Sequence, residues 1–219
     1  MLGSVLPALA PVLPGAARAV RIPLRLEGTS GVGLTFDDGP HPEGTPAVLE
    51  ILARAGAQAT FFLVGEQVLQ RPSLAAEIAA AGHVVAVHCH RHRLQLLLTR
   101  SQLEADLRRA VRAIEDATGV TPRWHRPPYG VYSLAGLETA RAAGLAPLLW
   151  SRWGKDWRRF TTPARIASRA TRELSAGDVI LLHDADFYSS RNSHQRTVEA
   201  LTAIMKDLSR RDLATVLPV

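Results

Sequence analysis

Cysteine is almost missing from this chain: Cys89 is the only one in 219 residues. No disulfide can close within it, which leaves the redox compartment open. Lysine is nearly as scarce, with Lys155 and Lys206 the only two among 26 basic residues. Aromatics make up 5% of the chain, too few for a broad stacking surface beyond Trp124, Trp153, Trp157 and Tyr132. No clean membrane span is evident either. The apolar opening "MLGSVLPALAPVLPGAARAV" has three prolines and no basic start, which makes a poor transmembrane helix and an imperfect signal peptide. It reads as a remnant leader or an apolar arm packed on the domain.

The remaining composition suits one globular domain. The chain is 47% hydrophobic and 21% charged, enough to bury a core and unlike a disordered composition. The net charge of +6 raises the question of nucleic acid. Arg108, Arg109, Arg112, Arg165, Arg169 and Arg172 are scattered among acids on helical segments, as on a solvated helix surface. No nucleic-acid partner is expected.

From residue 31 onward a unit recurs: apolar run, loop, amphipathic helix, glycine, next apolar run. The runs are 32–37, 58–64, 83–88, 123–127, 146–150, 178–183 and 214–217, with helical patterns near 45–55, 67–81, 101–118, 133–143, 162–175 and 194–211. Thr45-Pro46 and Thr162-Pro163 read as helix starts, and Ser101 to Glu104 as a capping box. Gly56, Gly82, Gly119, Gly144 and Gly177 sit where a left-handed cap would end each helix. Seven strands alternating with six helices predict a parallel sheet, either open and doubly wound or curled into a barrel.

The residues able to do chemistry fall at one end of each unit. Asp37 and Asp38 close the first run, His88, Cys89, His90 and His92 the third, and Arg126 the fourth; Asp156 follows the fifth, and His183 with Asp184 closes the sixth. In parallel α/β folds those strand ends form the ligand face. Two adjacent carboxylates are costly inside a fold unless a cation compensates them. His88 and His92, four apart, would face the same way on a helical turn and grip one metal ion, leaving His90 pointing elsewhere. One carboxylate of the pair would complete a two-His, one-Asp site with an open position, as hydrolytic metal chemistry requires.

These residues resemble the polysaccharide deacetylases of the NodB-homology type, carbohydrate esterase family 4. The resemblance covers most of 31–219, in five motifs. "TFDDGP" at 35–40 implies Asp37 as catalytic base and Asp38 as metal ligand; His88 to His92 implies both histidines as ligands. "RPPYG" at 126–130 implies that Arg126 orients the base and that the Tyr129 backbone N–H helps hold an oxyanion. "DW" at 156–157 and "LLH" at 181–183 imply His183 as the acid, Asp156 as its partner, and Trp157 with Leu181 as walls of an acetyl pocket. The implied fold is a distorted (β/α) barrel of about seven parallel strands. The implied cofactor is one divalent metal ion, with zinc expected.

The resemblance thus implies metal-assisted removal of N-acetyl groups from an amino-sugar polymer or oligomer: peptidoglycan, chitin-like chains or poly-N-acetylglucosamine. The alternatives are hydrolysis of a small non-glycan amide, or a weakly active metal- or carbohydrate-binding protein on the same scaffold. A cell-envelope or secreted location is implied, with the cytoplasm open because no complete signal peptide is seen. Residues 1–30 read as arm or remnant leader and 31–219 as one domain. Three positions depart from the family pattern: Cys89 stands where Ser or Thr is usual, Trp153 where the fourth motif begins with Asp, and His125 where an aromatic is common.

Overall fold

The computed structural model describes residues 5–219. Seven parallel strands form one sheet: β1 (Gly33–Asp37), β2 (Thr60–Val64), β3 (Val84–Cys89), β4 (Trp124–His125), β5 (Ala146–Pro147), β6 (Arg152–Trp153) and β7 (Val179–His183). Their order is β5-β4-β3-β2-β1-β7-β6, so β5 and β6 are the two edges of a curled half-barrel. The expected barrel of seven parallel strands is therefore present. Its membership differs at one place. Residues 214–217 touch the sheet only through a Val32–Thr215 bridge, and the seventh strand is the short β6. Two residues give no readable alternation, which is why β6 escapes pattern reading.

The central strands are buried along nearly their whole length because both of their faces are covered. Leu34 and Phe36 of β1, Phe61 and Leu63 of β2, Val85 and Val87 of β3, and Ile180 and Leu182 of β7 face the outer layer of helices. That layer comprises α3 (Gly44–Ala55), α4 (Gly65–Gln70), α5 (Pro72–Ala80), α6 (Arg100–Thr118), α7 (Leu134–Ala142), α8 (Pro163–Thr171) and α9 (Ser193–Arg210). In α6, Leu103, Leu107, Ala110 and Ile114 repeat at helical spacing and are the side chains buried against the sheet. The single helix expected over 67–81 is two, α4 and α5, because Pro72 lacks the N–H that would carry the helix across Arg71.

Helix starts hold two further corrections. The capping box of α6 uses Thr99 and Gln102 rather than Ser101 and Glu104. Thr45 lies inside α3, and its hydroxyl pairs with the Asp184 carboxylate instead of capping. Thr162 caps α8 as expected, accepting from the Arg165 N–H. All five expected glycines have positive φ, between 59° and 83°, and four of them end helices; Gly177 does not, because α8 already ends at Thr171 and the glycine lies in the turn before β7.

The inner face of the half-barrel is closed by the N-terminal segment. Its short helices α1 (Leu6–Leu9) and α2 (Pro14–Ala19) precede β1 in the chain. Ala10, Ala17 and Ile22 are buried with Phe62, Ala86, Leu148, Val179 and Leu181, which point inward from the sheet. The Pro23 carbonyl accepts from the Leu149 N–H beside the open seam, and Arg141 donates to the carbonyls of Val20 and Arg21. No helix among the described residues is long and apolar enough to cross a membrane.

Ile22 is 3% exposed, so truncating it leaves a cavity in this inner core. Ile22→Ala is expected to cost about 2–5 kcal/mol in urea unfolding. An unchanged unfolding midpoint would mean that the segment is not part of the cooperative core.

Candidate active site

Strand alternation decides which side chains reach the inner face. Thr35 and Asp37 of β1, His88 of β3, and Leu181 and His183 of β7 all point inward at the C-terminal ends of their strands, and Asp37 pairs in register with His183. Continued extension would send Asp38 outward. Its φ of 79° turns the backbone instead, a left-handed conformation costing about 1–2 kcal/mol for a residue with a Cβ. The turn aims the Asp38 carboxylate back inside, where Oδ1 lies 3.4 Å from Nε2 of His88 and 3.4 Å from Nε2 of His92.

These three groups form a coherent donor set for a cation. Their candidate ligand atoms all lie within 4.8 Å of one another. Nδ1 of His88 is 2.8 Å from the Arg126 carbonyl, which can only accept; the proton therefore sits on Nδ1, and Nε2 keeps its lone pair free. Asp38 Oδ1 is buried without a hydrogen-bond partner. Burial alone would raise the Asp38 pKa, but the surrounding imidazoles of His88, His183 and His92 bring it to about 2. Burial lowers His92 to about 4. A buried carboxylate oxygen without a partner, facing the Nε2 atoms of two imidazoles, fits a divalent ion.

The route to His92 is not a helical turn. His88 is the next-to-last residue of β3, and after Cys89 the chain loops, with the N–H groups of His90 and Arg91 both donating to Asp106 on α6. His90 points away from the site, as the spacing implied, towards Gly65. Cys89 is not among the clustered donors, and burial pushes its thiol well above the ordinary range, away from the thiolate a metal needs. A second cluster, His41, Asp186 and His194, is less suited to a cation. Nδ1 of His41 accepts the N–H groups of Glu43 and Gly44, so its proton is on Nε2, where a ligand lone pair would be needed.

Arg126 has 0% exposure, and its guanidinium is hydrogen-bonded on several sides. It donates to Asp37 Oδ1 at 2.7 Å, Thr35 Oγ1 at 2.8 Å, and the carbonyls of Leu148 and Leu149 at 3.0 and 2.9 Å. It also lies 4.0 Å above the Phe62 ring. On the other side of Asp37, Asp156 is fully buried; it accepts from the His183 backbone N–H at 2.7 Å and from Thr197 at 2.8 Å. Its other oxygen is 3.0 Å from His183 Nδ1. Burial would lower the His183 pKa, but Asp156, then Asp38 and Asp37, raise it to about 10. The imidazole is charged at neutral pH.

Asp37, Asp38, His88, His92 and His183 open into one cavity of about 250 Å³, walled by Tyr129, Gly130, Trp150, Trp153, Trp157, Leu181 and Tyr188. Trp157 meets His183 edge-on at 5.5 Å, and Trp153 lies between Trp150 and Trp157 at 5.7 and 5.6 Å. Tyr129 is 58% exposed at the rim, on a left-handed residue with φ of 61°. Gly130 follows because a Cβ there would come within 2.4 Å of the Trp150 ring. Asp106, Trp150 and Tyr188 are parts of the site that motif reading missed. Nothing in their local sequence distinguishes them from ordinary helix and loop residues.

The departure at His125 has a structural use. Its Nδ1–H donates to the Tyr132 hydroxyl at 2.8 Å, and that hydroxyl donates on to the His125 carbonyl, bracing the loop after Arg126. Burial, then the charge on His88, lowers its pKa to about 3. Folded protein therefore keeps His125 neutral while the unfolded chain takes a proton near 6.5. Its contribution to stability is complete above about pH 6.5 and is lost as pH falls from there towards 3. His125→Phe leaves Tyr132 its carbonyl partner and should reduce the acid-side slope of unfolding free energy by up to about one proton. Denaturant melts between about pH 6.5 and 4 check this; identical slopes would contradict it.

Known proteins resemble this chain in both sequence and fold. The family model for polysaccharide deacetylase matches residues 27–148. A chitooligosaccharide deacetylase of Bradyrhizobium sp. (strain ANU 289) is 36% identical over 193 residues, 85% of this chain and 88% of that protein. A peptidoglycan-N-acetylglucosamine deacetylase of Bacillus cereus is 33% identical over 182 residues, 82% of each. Among solved structures, a CE4 family pseudoenzyme from Bacillus anthracis matches with a TM-score of 0.77 at 27% identity, over 86% of this chain and 63% of that one. A pseudoenzyme can share this fold, so turnover has to be argued from side chains.

Proposed function

The chain belongs to the polysaccharide deacetylase family, and on that footing we propose that it hydrolyses N-acetyl groups on an amino-sugar polymer or oligomer. The observation that carries this reading is the pairing of two opposed proton-handling groups across one cavity. Asp37 is held by Arg126, and His183 by Asp156. A binding protein has no use for both. The named substrates of the two relatives, chitooligosaccharide and peptidoglycan, support a glycan.

Asp38, His88 and His92 would hold one divalent ion, zinc on the two-His, one-carboxylate donor set. When bound, it supplies Lewis acidity, acidifying a water and polarising the acyl oxygen. Asp37 takes the proton of the attacking water, its free oxygen oriented by the Arg126 bond to the other. The Tyr129 backbone N–H donates to the developing oxyanion. His183, protonated at neutral pH, gives its proton to the departing amine, and Asp156 supports the cation beforehand. Leu181 and the edge of Trp157 enclose the acetyl methyl.

The test is acetate release by metal-stripped and zinc-reconstituted protein against N-acetylglucosamine oligomers, peptidoglycan and small N-acetyl amides. Zinc-dependent release from the glycans is expected. Release from small amides alone would favour the non-glycan amidohydrolase, and none at all a binding protein on this scaffold.

Asp37→Asn and His183→Ala should each lower kcat by ~10²–10⁴-fold, the usual worth of a positioned proton-transfer group. Both should still bind one equivalent of zinc, since neither is a ligand. A near-normal rate in either variant would refute its role.

A further inference from the structure

The two candidate histidine ligands are held in different ways. His88 has the usual support, a hydrogen bond from the nitrogen that does not face the cation. Nδ1 of His92 is buried with no hydrogen-bond partner. Nothing on its edge stops the ring from rotating and swinging Nε2 away from Asp38. Its faces, however, are occupied. The Tyr188 ring lies parallel to it, 4.3 Å away at an interplanar angle of 8°, and Tyr129 meets it edge-on at 4.8 Å.

We propose that Tyr188 is a positioning residue for the cation site, fixing the His92 ring by stacking where a hydrogen bond is missing. This rests on the metal-site reading of Asp38, His88 and His92.

Tyr188 can do this because it is itself fixed at its far end. Its hydroxyl donates to Glu66 at 2.8 Å and accepts from Gln67 at 3.0 Å, both on α4. Arg71 in turn holds the Gln67 side chain at 2.7 Å. The backbone carrying it is tethered as well. Asp186, two residues earlier, lies 3.3 Å from His41 Nε2 and 3.4 Å from His194 Nδ1, and it accepts the Asn192 N–H. The loop between β7 and α9 is thus clasped to the start of α3 and the start of α9, with Tyr188 projecting over His92. Offset stacking and edge-to-face contact are the preferred geometries for aromatic pairs, and together they select one ring orientation among several.

The experiment compares wild type, Tyr188→Phe, Tyr188→Leu and Tyr188→Ala, each as purified full chain. Zinc affinity is read by competition with a chromophoric chelator, and ligand geometry by the visible spectrum of the cobalt(II)-substituted protein. Melting temperature of the metal-free forms separates loss of the site from loss of the fold. Tyr188→Ala should weaken zinc binding by ~10–100-fold, the usual effect of losing a partner that orients a metal ligand. Tyr188→Leu should be weakened too, while Tyr188→Phe, which keeps the stacking ring but loses its anchor to Glu66 and Gln67, should lose clearly less than Tyr188→Ala. Wild-type affinity in Tyr188→Ala, or equal losses in Phe and Ala, would overturn the proposal. A wild-type protein that binds no zinc would overturn the metal-site reading beneath it as well.

Discussion

The buried guanidinium of Arg126 is the constraint around which the rest of the site is arranged. Taking such a charge out of water costs several kcal/mol unless it is paired and fully hydrogen-bonded, and breaking one buried pair costs about 3–5 kcal/mol. Here every demand is met from a different part of the chain: Asp37 and Thr35 from β1, two carbonyls from the stretch after β5, and the Phe62 face from β2. Satisfying Arg126 therefore sets the curl of the half-barrel at its seam. The same residue's backbone carbonyl selects the His88 tautomer, so the base and one candidate ligand depend on a single side chain and its own peptide.

The half-barrel divides its two faces by task. The outer face of the central strands is lined by apolar side chains and covered by helices, so it can be packed without regard to chemistry. The inner face is apolar below, against the N-terminal segment, and polar above, at the strand ends. That gradient places ionisable groups in low dielectric next to one another. Hence neighbouring groups of the site differ so sharply: Asp38 is held near 2 and His183 near 10 within the same cavity.

The motif residues were legible because their types are dictated locally. A carboxylate pair, a histidine pair and a final Leu-Leu-His each stand at the end of an apolar run, and that position predicts the ligand face of a parallel sheet. Other parts of the site had no such signature. Asp106 holds the 90–93 loop from within a helix, and Tyr188 lies in a loop. Each acts on a partner far away in the chain, a relation invisible to spacing. Likewise the 88–92 pair converges through a strand end and a pinned loop. The four-residue interval fits a helix equally well, so spacing alone could not choose.

What the sequence determined by itself was the class of fold and the identity of the reactive groups, because periodicity and residue chemistry are properties of neighbours. It also placed the helix ends marked by glycine, whose left-handed freedom is local. What only the tertiary structure decided was which strand fills the seventh place, how the half-barrel is sealed, and how Asp38 turns inward beside Asp37. Those depend on long-range balances: the unpaired edge beside β5 must be satisfied by Arg126 and Pro23, and a strained φ at Asp38 persists only because the surrounding chain holds it. Such balances are set by groups that meet in space, and no window along the chain contains them together.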